Sequence, residues 1–470
     1  MKEIVFVNPP LTLKERYGKL SGAGNTLPSL GLCWLAAVCR EDGFQAGIID
    51  SASLALDHEE TLGQLFAEPP QYVGITATTP AIFSASQLAR RIKEKDKNIV
   101  ILLGGPHITA IPEETMRQFR EFDIGVLGEG EETILDLLRR LRGKQYLGEA
   151  KGLIFREGES LRRTENRPFI KDLNRLPMPA WDLLPDFPKG YVPPSFRFQR
   201  LPASYLVTSR GCPRECAFCD RSVFGHDCRF FSAEYIFEMV DRLKKRFGVK
   251  ELLFEDDNFT LHQQRLITLC EKLIKAKMDL TWSCLGRVDT VDLSLLRLMK
   301  KAGCWQIGYG LESGDKGVLD FARKKIELEQ ARETLELTRK AGIRTKGFFI
   351  LGLPLESHET MRRSINFAKK NALDDITVTF FTPFPGSVLH GSAKDFGEFN
   401  NEWKRMNMLE TVFVPKGLAK EDLEKGLRSF LREFYLRPKI VFAYFLRVIS
   451  HPFYSGKIFR GLFALLKNTF

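Results

Sequence analysis

Ser209-Arg210-Gly211-Cys212-Pro213-Arg214-Glu215-Cys216-Ala217-Phe218-Cys219 places three cysteines in a CxxxCxxC pattern. Directly before it, residues 205–208 form a short aromatic and β-branched run, which reads as a strand ending where the cluster begins. Three soft thiolates this close, with no fourth partner at zinc-ribbon spacing, suit an iron–sulfur cluster better than zinc. The competing reading is a zinc site completed by Cys228 or His226, although Cys228 lies at an atypical interval. The remaining cysteines, Cys33, Cys39, Cys270, Cys284 and Cys304, are scattered among apolar neighbours and read as small core residues.

Toward the C-terminus, further strands are predicted at 251–254, 280–285, 305–309, 345–351 and 376–381. Helices are predicted between them, over 233–247, 264–277, 293–302 and 328–341. Six βα units are too few for a closed eight-stranded barrel, so the pattern predicts a partial barrel open on one side. Active sites in such folds sit at the carboxyl ends of the strands, where the cysteine loop falls. A cubane held by three thiolates leaves one iron without a protein ligand. That iron can chelate the amino and carboxylate groups of S-adenosylmethionine (SAM) and pass an electron to its sulfonium. The resulting 5′-deoxyadenosyl radical removes hydrogen from unreactive carbon.

Toward the N-terminus, strands are predicted at 4–7, 46–50, 72–75, 99–103 and 124–127, with helices such as 30–40 and 84–95 between them. This alternation predicts an α/β domain over 1–145, a flavodoxin-like parallel sheet with helices on both faces. Ligands of such sheets bind at the carboxyl ends of the strands. Those ends carry Asn8-Pro9-Pro10, Thr76-Ala77-Thr78-Thr79, Gly104-Gly105-Pro106-His107 and Gly128-Glu129-Gly130-Glu131. Their small and glycine-rich residues admit a large flat ligand close to the backbone. Residues 146–200, with a hairpin about Gly158 and six prolines from Pro177 to Pro194, read as a linker. Residues 201–395 hold the partial barrel, and 396–470 a separate, mostly helical C-terminal domain.

At 470 residues, 44% hydrophobic and 27% charged, the composition is that of a globular protein of two or three domains. No secretory signal is read in residues 1–7, and the longest apolar run, 440–446, is too short to span a bilayer. The expectation is a soluble cytoplasmic protein. The net charge of +11 is unevenly spread, with 16 Lys/Arg against 19 Asp/Glu in 1–145, but six Lys/Arg and no acid in 434–470. No nucleic-acid-binding motif is present, so nucleic acid is not expected as a partner. The tail is rich in aromatic residues (Phe442, Tyr444, Phe445, Phe453, Tyr454, Phe459 and Phe463) and has three readings: a core-packing extension, a cap on the open barrel, or a peripheral contact with anionic membrane.

The barrel half, including Phe218 before the last cysteine, resembles the radical SAM superfamily. The resemblance implies Cys212, Cys216 and Cys219 as ligands of a 4Fe-4S cluster. It implies a SAM site built from Phe218, Asp256, Asp257, Arg287, Glu312, Gly352 and Thr382. Asp256 and Asp257, in Phe254-Glu255-Asp256-Asp257-Asn258-Phe259, replace the family's Gly-Gly-Glu at the cofactor's ammonium. Arg287 would meet its carboxylate, and Glu312 its ribose hydroxyls. A mutual salt bridge between Arg287 and Glu312 is the structural alternative, and helix capping that for Asp256.

The N-terminal half resembles cobalamin-binding domains fused to radical enzymes, such as the anaerobic Mg-protoporphyrin ester cyclase type and the cobalamin-dependent C-methyltransferases. This implies a cobalamin site at Asn8, Thr76, Thr78, Gly104, Gly105, Gly128, Glu129 and Gly130. No DxHxxG is present, which implies cobalt without a protein histidine ligand and His107 as a loop residue. The chemistry implied is methylation of an unactivated carbon through methylcobalamin and a 5′-deoxyadenosyl radical. Cyclisation, oxidation or rearrangement without methyl transfer uses the same parts. A cobalamin- or redox-sensing binding protein is the alternative from another class, and the complete cysteine triad with Arg287 and Glu312 counts against it. A radical methylthiotransferase would want a second cysteine set. Partners implied are a small-molecule, amphiphilic substrate and an electron donor such as flavodoxin or ferredoxin. Glu255, Asp257 and Tyr309 are positional candidates for a general base.

Overall fold

The computed structural model describes residues 2–18, 21, 24–194, 197–450 and 456, without the side chains of 447, 448 and 450. Five buried apolar runs become parallel strands: β1 (Ile4–Asn8), β2 (Ala46–Asp50), β3 (Tyr72–Thr76), β4 (Val100–Gly104) and β5 (Ile124–Val126). Buried on both faces, they need helices above and below, which the amphipathic segments between them supply. The spatial order is β2-β1-β3-β4-β5-β6-β7. The chain direction across the sheet therefore reverses between β1 and β3, which opens a crevice at their carboxyl ends. Asn8 ends β1 there and donates to Asp50 Oδ1 at 2.7 Å.

The segment read as a linker is less irregular than its prolines suggest. β6 (Leu153–Glu157) and β7 (Ser160–Arg163) form a hairpin that extends the first sheet antiparallel to β5. Gly158, at φ +61°, supplies the left-handed residue of its two-residue turn.

The second sheet is built from β8 (Ala203–Leu206), β11 (Glu251–Phe254), β12 (Thr281–Gly286), β13 (Cys304–Glu312), β14 (Arg344–Leu351) and β15 (Asp375–Phe380), all parallel and neighbours in that order. It is the expected half-barrel. Its first strand ends two residues before the predicted position because Thr208 turns its N–H and hydroxyl to Asp256 Oδ1, at 3.0 and 2.9 Å. The chain then forms β9 (Ser209–Arg210), paired antiparallel with β10 (Arg229–Phe230), so that the cysteine loop hangs between two short strands. Trp34, on the helix Leu30–Glu41 of the first sheet, stacks on Phe231 at 5.5 Å and joins the two halves.

The C-terminal region is not the separate domain that its composition suggests. A ribbon of β16 (Gly397–Phe399) and β17 (Phe413–Pro415) brackets Trp403, which is buried against His107 and Phe119 of the N-terminal half. A tryptophan buried in this way is worth about 3–5 kcal/mol on truncation, enough to tie the segment down. The helix Lys420–Tyr435 buries Leu423, Phe430 and Phe434, and Tyr435 donates to Ile376 O at 2.8 Å. This stretch is a core-packing extension. Phe453, Tyr454, Phe459 and Phe463 lie outside the described residues.

Glu356 links this packing to pH. It follows β14, accepts from Gly352 N–H at 2.9 Å, and burial lifts its carboxyl from the ordinary 4.5 to about 7. Between those values the folded chain holds a proton that the unfolded chain has released. This contribution is therefore fully present below about pH 4.5, declines as pH rises, and is gone above about 7. Glu356→Gln should raise stability at pH 8 by up to about 3 kcal/mol and progressively less toward pH 5, read from thermal midpoints across that range.

Candidate active site

The cysteine loop starts at Gly211, whose φ of +83° and 2.3 Å gap from a notional Cβ to Asp227 O admit only glycine. Cys212 is half-buried, Cys216 buried and Cys219 exposed. The loop is pinned from several sides. Ala217 N–H donates to Ala322 O at 2.9 Å, and Leu389 N–H to Ala217 O at 3.0 Å. Arg214 pairs with Asp289 at 3.1 Å, and Lys325 with Glu215 at 2.9 Å.

Burial pushes the Cys216 thiol up, while the Lys324 ammonium and Arg287 guanidinium oppose it and Glu312 adds to it. The structure therefore brings Cys216, Arg287 and Glu312 together, with a lysine that the sequence had not singled out. Glu312 closes β13 at φ +62° and accepts from Lys324 Nζ at 2.6 Å, both side chains being buried. Gly310 leaves them room, because a Cβ there would stand 2.5 Å from Glu312 Oε1. The expected alternative of an Arg287–Glu312 salt bridge is not what forms. Arg287 instead grips Asp289 through Nε (2.9 Å) and Nη2 (3.1 Å) and donates to the carbonyls of Lys324 and Lys325. It thus clamps the segment that carries Lys324. Twelve residues of sequence separate Lys324 from Glu312, and nothing local marks it.

Three further expectations change. Asp256 is wholly buried, accepts from Thr208 and Ser209, and braces the strand leading into the cysteine loop; Asp257 is the exposed member of the pair. Tyr309 is also buried, donating to or accepting from Thr338 Oγ1 at 2.8 Å on the helix side of the sheet, away from the role of general base. Glu255 is half-buried and pairs with Arg197 at 2.7 Å. Gly352 (φ +84°) and the buried Thr382 follow β14 and β15 as predicted, and Phe218 packs near Phe381 and Leu389.

At the crevice of the first sheet lies a cavity of about 240 Å³, apolar at depth (Phe6, Leu35, Leu102, Ile134) and lined above by Gly104 and Gly128. A Cβ at Gly104 would meet nothing within 4 Å, and one at Gly128 only Val223 O at 4.0 Å, so bare backbone faces open space. A second cavity of about 390 Å³ adjoins it at Ser29, Thr76 and Tyr205 and reaches Asn8, Thr78 and Glu255. A smaller apolar slot beside a larger chamber of mixed polarity suits a cofactor with a tail and a flat body. His107 is buried under Trp403, its Nδ1 3.2 Å from Thr79 Oγ1, and burial lowers it to about 4. It is a buried core residue on the short helix Pro106–Ala110 where a loop residue was expected.

Glu129 is among the residues that line the slot. Its carboxylate is engaged by Arg210 at 3.0 Å, by Arg229 at 2.8 Å and by Ile170 N–H at 2.8 Å. Arg210 also pairs with Glu131 and lies between the rings of Trp34 and Phe224, 5.4 Å from each. The two acids of the GEGE motif thus lock one domain onto the residue two places before Cys212.

Residues 206–368 match the radical SAM superfamily, and residues 20–138 the B12 binding domain. An uncharacterized methyltransferase of Pyrococcus horikoshii is 33% identical over 445 residues, 93% of this chain and 94% of the relative. The chain belongs to the cobalamin-dependent radical SAM enzymes. An anaerobic magnesium-protoporphyrin IX monomethyl ester cyclase of Rubrivivax gelatinosus is 27% identical over 99% of this chain and 83% of its own length. Among solved structures, the cobalamin-dependent SAM radical enzyme OxsB, with aqua-cobalamin and SAM bound, superposes with a TM-score of 0.74 at 19% identity, over 95% of this chain and 71% of that one. The radical SAM methyltransferase TsrM of Kitasatospora setae gives 0.69 at 16% identity, over 84% and 78%. These two likenesses speak to the fold. The enzyme's cofactors are a 4Fe-4S cluster, SAM and cobalamin.

The glycine-lined slot makes a direct prediction for this radical enzyme. Gly104→Val should fold normally and keep its cluster, since the new side chain enters empty space. Cobalamin affinity should fall roughly ten- to hundredfold, because the slot would then be overfilled. Cobalamin titration beside the iron content of the same preparation checks both halves.

Proposed function

We propose that the enzyme methylates an unactivated carbon of a small, amphiphilic molecule. The observation that carries this reading is that the cavities at the crevice of the first sheet, which share Ser29, Thr76 and Tyr205, are also bordered by Glu255, the residue next to the Asp256–Asp257 pair at the end of β11. When bound, the cluster with SAM supplies a hydrogen-abstracting radical and cobalamin supplies a methyl group. In this reading Cys212, Cys216 and Cys219 hold the cluster. Asp257 takes the ammonium of SAM, with Asp256 behind it holding the loop in place. Glu312 accepts the ribose hydroxyls while Lys324, 2.6 Å away, holds its carboxylate in place, and Arg287 fixes the segment that carries the lysine. Gly352 and Thr382 border the adenine. Asn8, Thr76, Thr78, Gly104, Gly105, Gly128 and Gly130 receive cobalamin, with Glu129 acting through Arg210. Similarity to a cytidylyl-2-hydroxyethylphosphonate methyltransferase of Streptomyces wedmorensis, 27% identical over 93% of this chain, supports methyl transfer. The nearly full-length similarity to the cyclase supports the second reading, ring formation without methyl transfer. A flavodoxin or ferredoxin would supply the electron.

The test uses protein purified without oxygen, reconstituted with iron, sulfide and hydroxocobalamin, and reduced in the presence of SAM. Cobalamin, 5′-deoxyadenosine and S-adenosylhomocysteine are quantified together, with Cys216→Ala as control. Both nucleoside products in the parent and no 5′-deoxyadenosine in Cys216→Ala are expected. Bound cobalamin with 5′-deoxyadenosine alone would move the assignment to cyclase-like chemistry.

A further inference from the structure

The helix Pro438–Ser450 has two unlike faces. Ile440 and Tyr444 are buried, and the Tyr444 hydroxyl donates to Asp375 Oδ1 at 3.1 Å, which fixes the helix on the outside of the half-barrel. The opposite face presents Val441, Phe442, Phe445, Leu446 and Ile449, with Phe442 61% and Phe445 59% exposed. Their spacing makes one continuous stripe along the helix axis. Single exposed apolar residues need no explanation, but a contiguous stripe of five on an anchored helix marks a surface that is covered when the protein works.

Charge says what covers it. After Glu433 the chain has no acidic residue to its end, while Arg437, Lys439, Arg447, Lys457, Arg460 and Lys467 are basic. Lys439 is exposed beside the stripe. A second copy of the chain would bring two such basic ends together, which like-charge repulsion opposes. A helix that is apolar on one side, with Lys439 beside that face and a basic stretch of sequence about it, matches the boundary of an anionic bilayer, where rings enter the acyl region and ammonium groups meet phosphates. No helix among the described residues is long and apolar enough to cross a membrane, so the geometry is that of a segment lying along it.

We propose that the Pro438–Ser450 helix docks the enzyme on anionic phospholipid membranes through the Val441–Phe442–Phe445–Leu446–Ile449 stripe. The inference does not rest on the chemistry proposed above. Full-length reconstituted enzyme is sedimented with vesicles of phosphatidylglycerol and phosphatidylcholine, or of phosphatidylcholine alone, at low and high salt. Binding to the phosphatidylglycerol vesicles that weakens with salt is expected. Phe442→Ser/Phe445→Ser should bind roughly tenfold or more weakly with an unchanged melting temperature, because both side chains already face solvent. Lys439→Glu should lower binding selectively for the anionic vesicles. Absence of binding at low salt, or equal binding by the double serine variant, would overturn the proposal. So would a dimer in solution that this variant converts to monomer, since the stripe would then be a self-contact.

Discussion

Arg210→Ala is expected to be among the most damaging single substitutions in the chain, costing about 3–5 kcal/mol of stability. Arg210 is 4% exposed and is the cation that Glu131 pairs with, while Glu129 keeps Arg229 and the Ile170 N–H when it is removed. Removing the guanidinium leaves carboxylates buried at the join between the two sheets, where water does not compensate them. Arg210→Lys should recover little. An ammonium is one point charge, whereas the guanidinium reaches both acids at once while lying between Trp34 and Phe224. The triple replacement Arg210→Met/Glu129→Gln/Glu131→Gln should be more stable than Arg210→Ala, since it removes the charges together. Thermal denaturation of the apo proteins, analysed as a cycle over these variants, reads the coupling. Because Arg210 stands two residues before Cys212, the variant should also lose cobalamin and iron together on reconstitution, whereas a defect confined to one site would lower only one.

The division between what was legible in the sequence and what was not follows from the range of the interactions. Strands and helices were legible because each is a local periodicity: Glu251–Phe254 and Ala233–Phe247 fall where their apolar patterns put them. The cysteine triad was legible because its chemistry lies within eight residues. Glu312 and Arg287 were placed by resemblance at strand ends, and they do come together beside Cys216. What pairs with them was not legible. Lys324 reaches Glu312 only because the chain returns after the helix Lys316–Phe321, and Asp289 meets both Arg287 and Arg214 across the mouth of the barrel. The acidic GEGE motif looked like a cofactor contact, and only the docking of two domains turns Glu129 and Glu131 onto Arg210. The C-terminal segment misled for a related reason: composition cannot say that Trp403 will lie against His107, some three hundred residues earlier in the chain.

Lys324→Met is the substitution that separates the roles of this hidden pair. It leaves Glu312, 8% exposed, without its 2.6 Å partner. The Lys324 contact is what holds the Glu312 carboxylate in its direction, and a carboxylate free to swing presents its two oxygens less well to two ribose hydroxyls. The expected loss is about 3 kcal/mol, a hundredfold or more in kcat/KM for SAM, read as 5′-deoxyadenosine formed under reduction. Removing a positive charge beside the cluster also makes an added electron less welcome, so the cluster's reduction potential should become more negative, which redox titration monitored by electron paramagnetic resonance measures. Lys324→Arg should restore much of the potential, since the charge returns, but less of the SAM turnover, since its fork does not reproduce the single Nζ contact. Glu312→Gln/Lys324→Met should melt higher than Lys324→Met alone, because no unpaired charge remains, while its 5′-deoxyadenosine formation stays low. A double variant that regained turnover would mean that Glu312 serves the fold and not the cofactor.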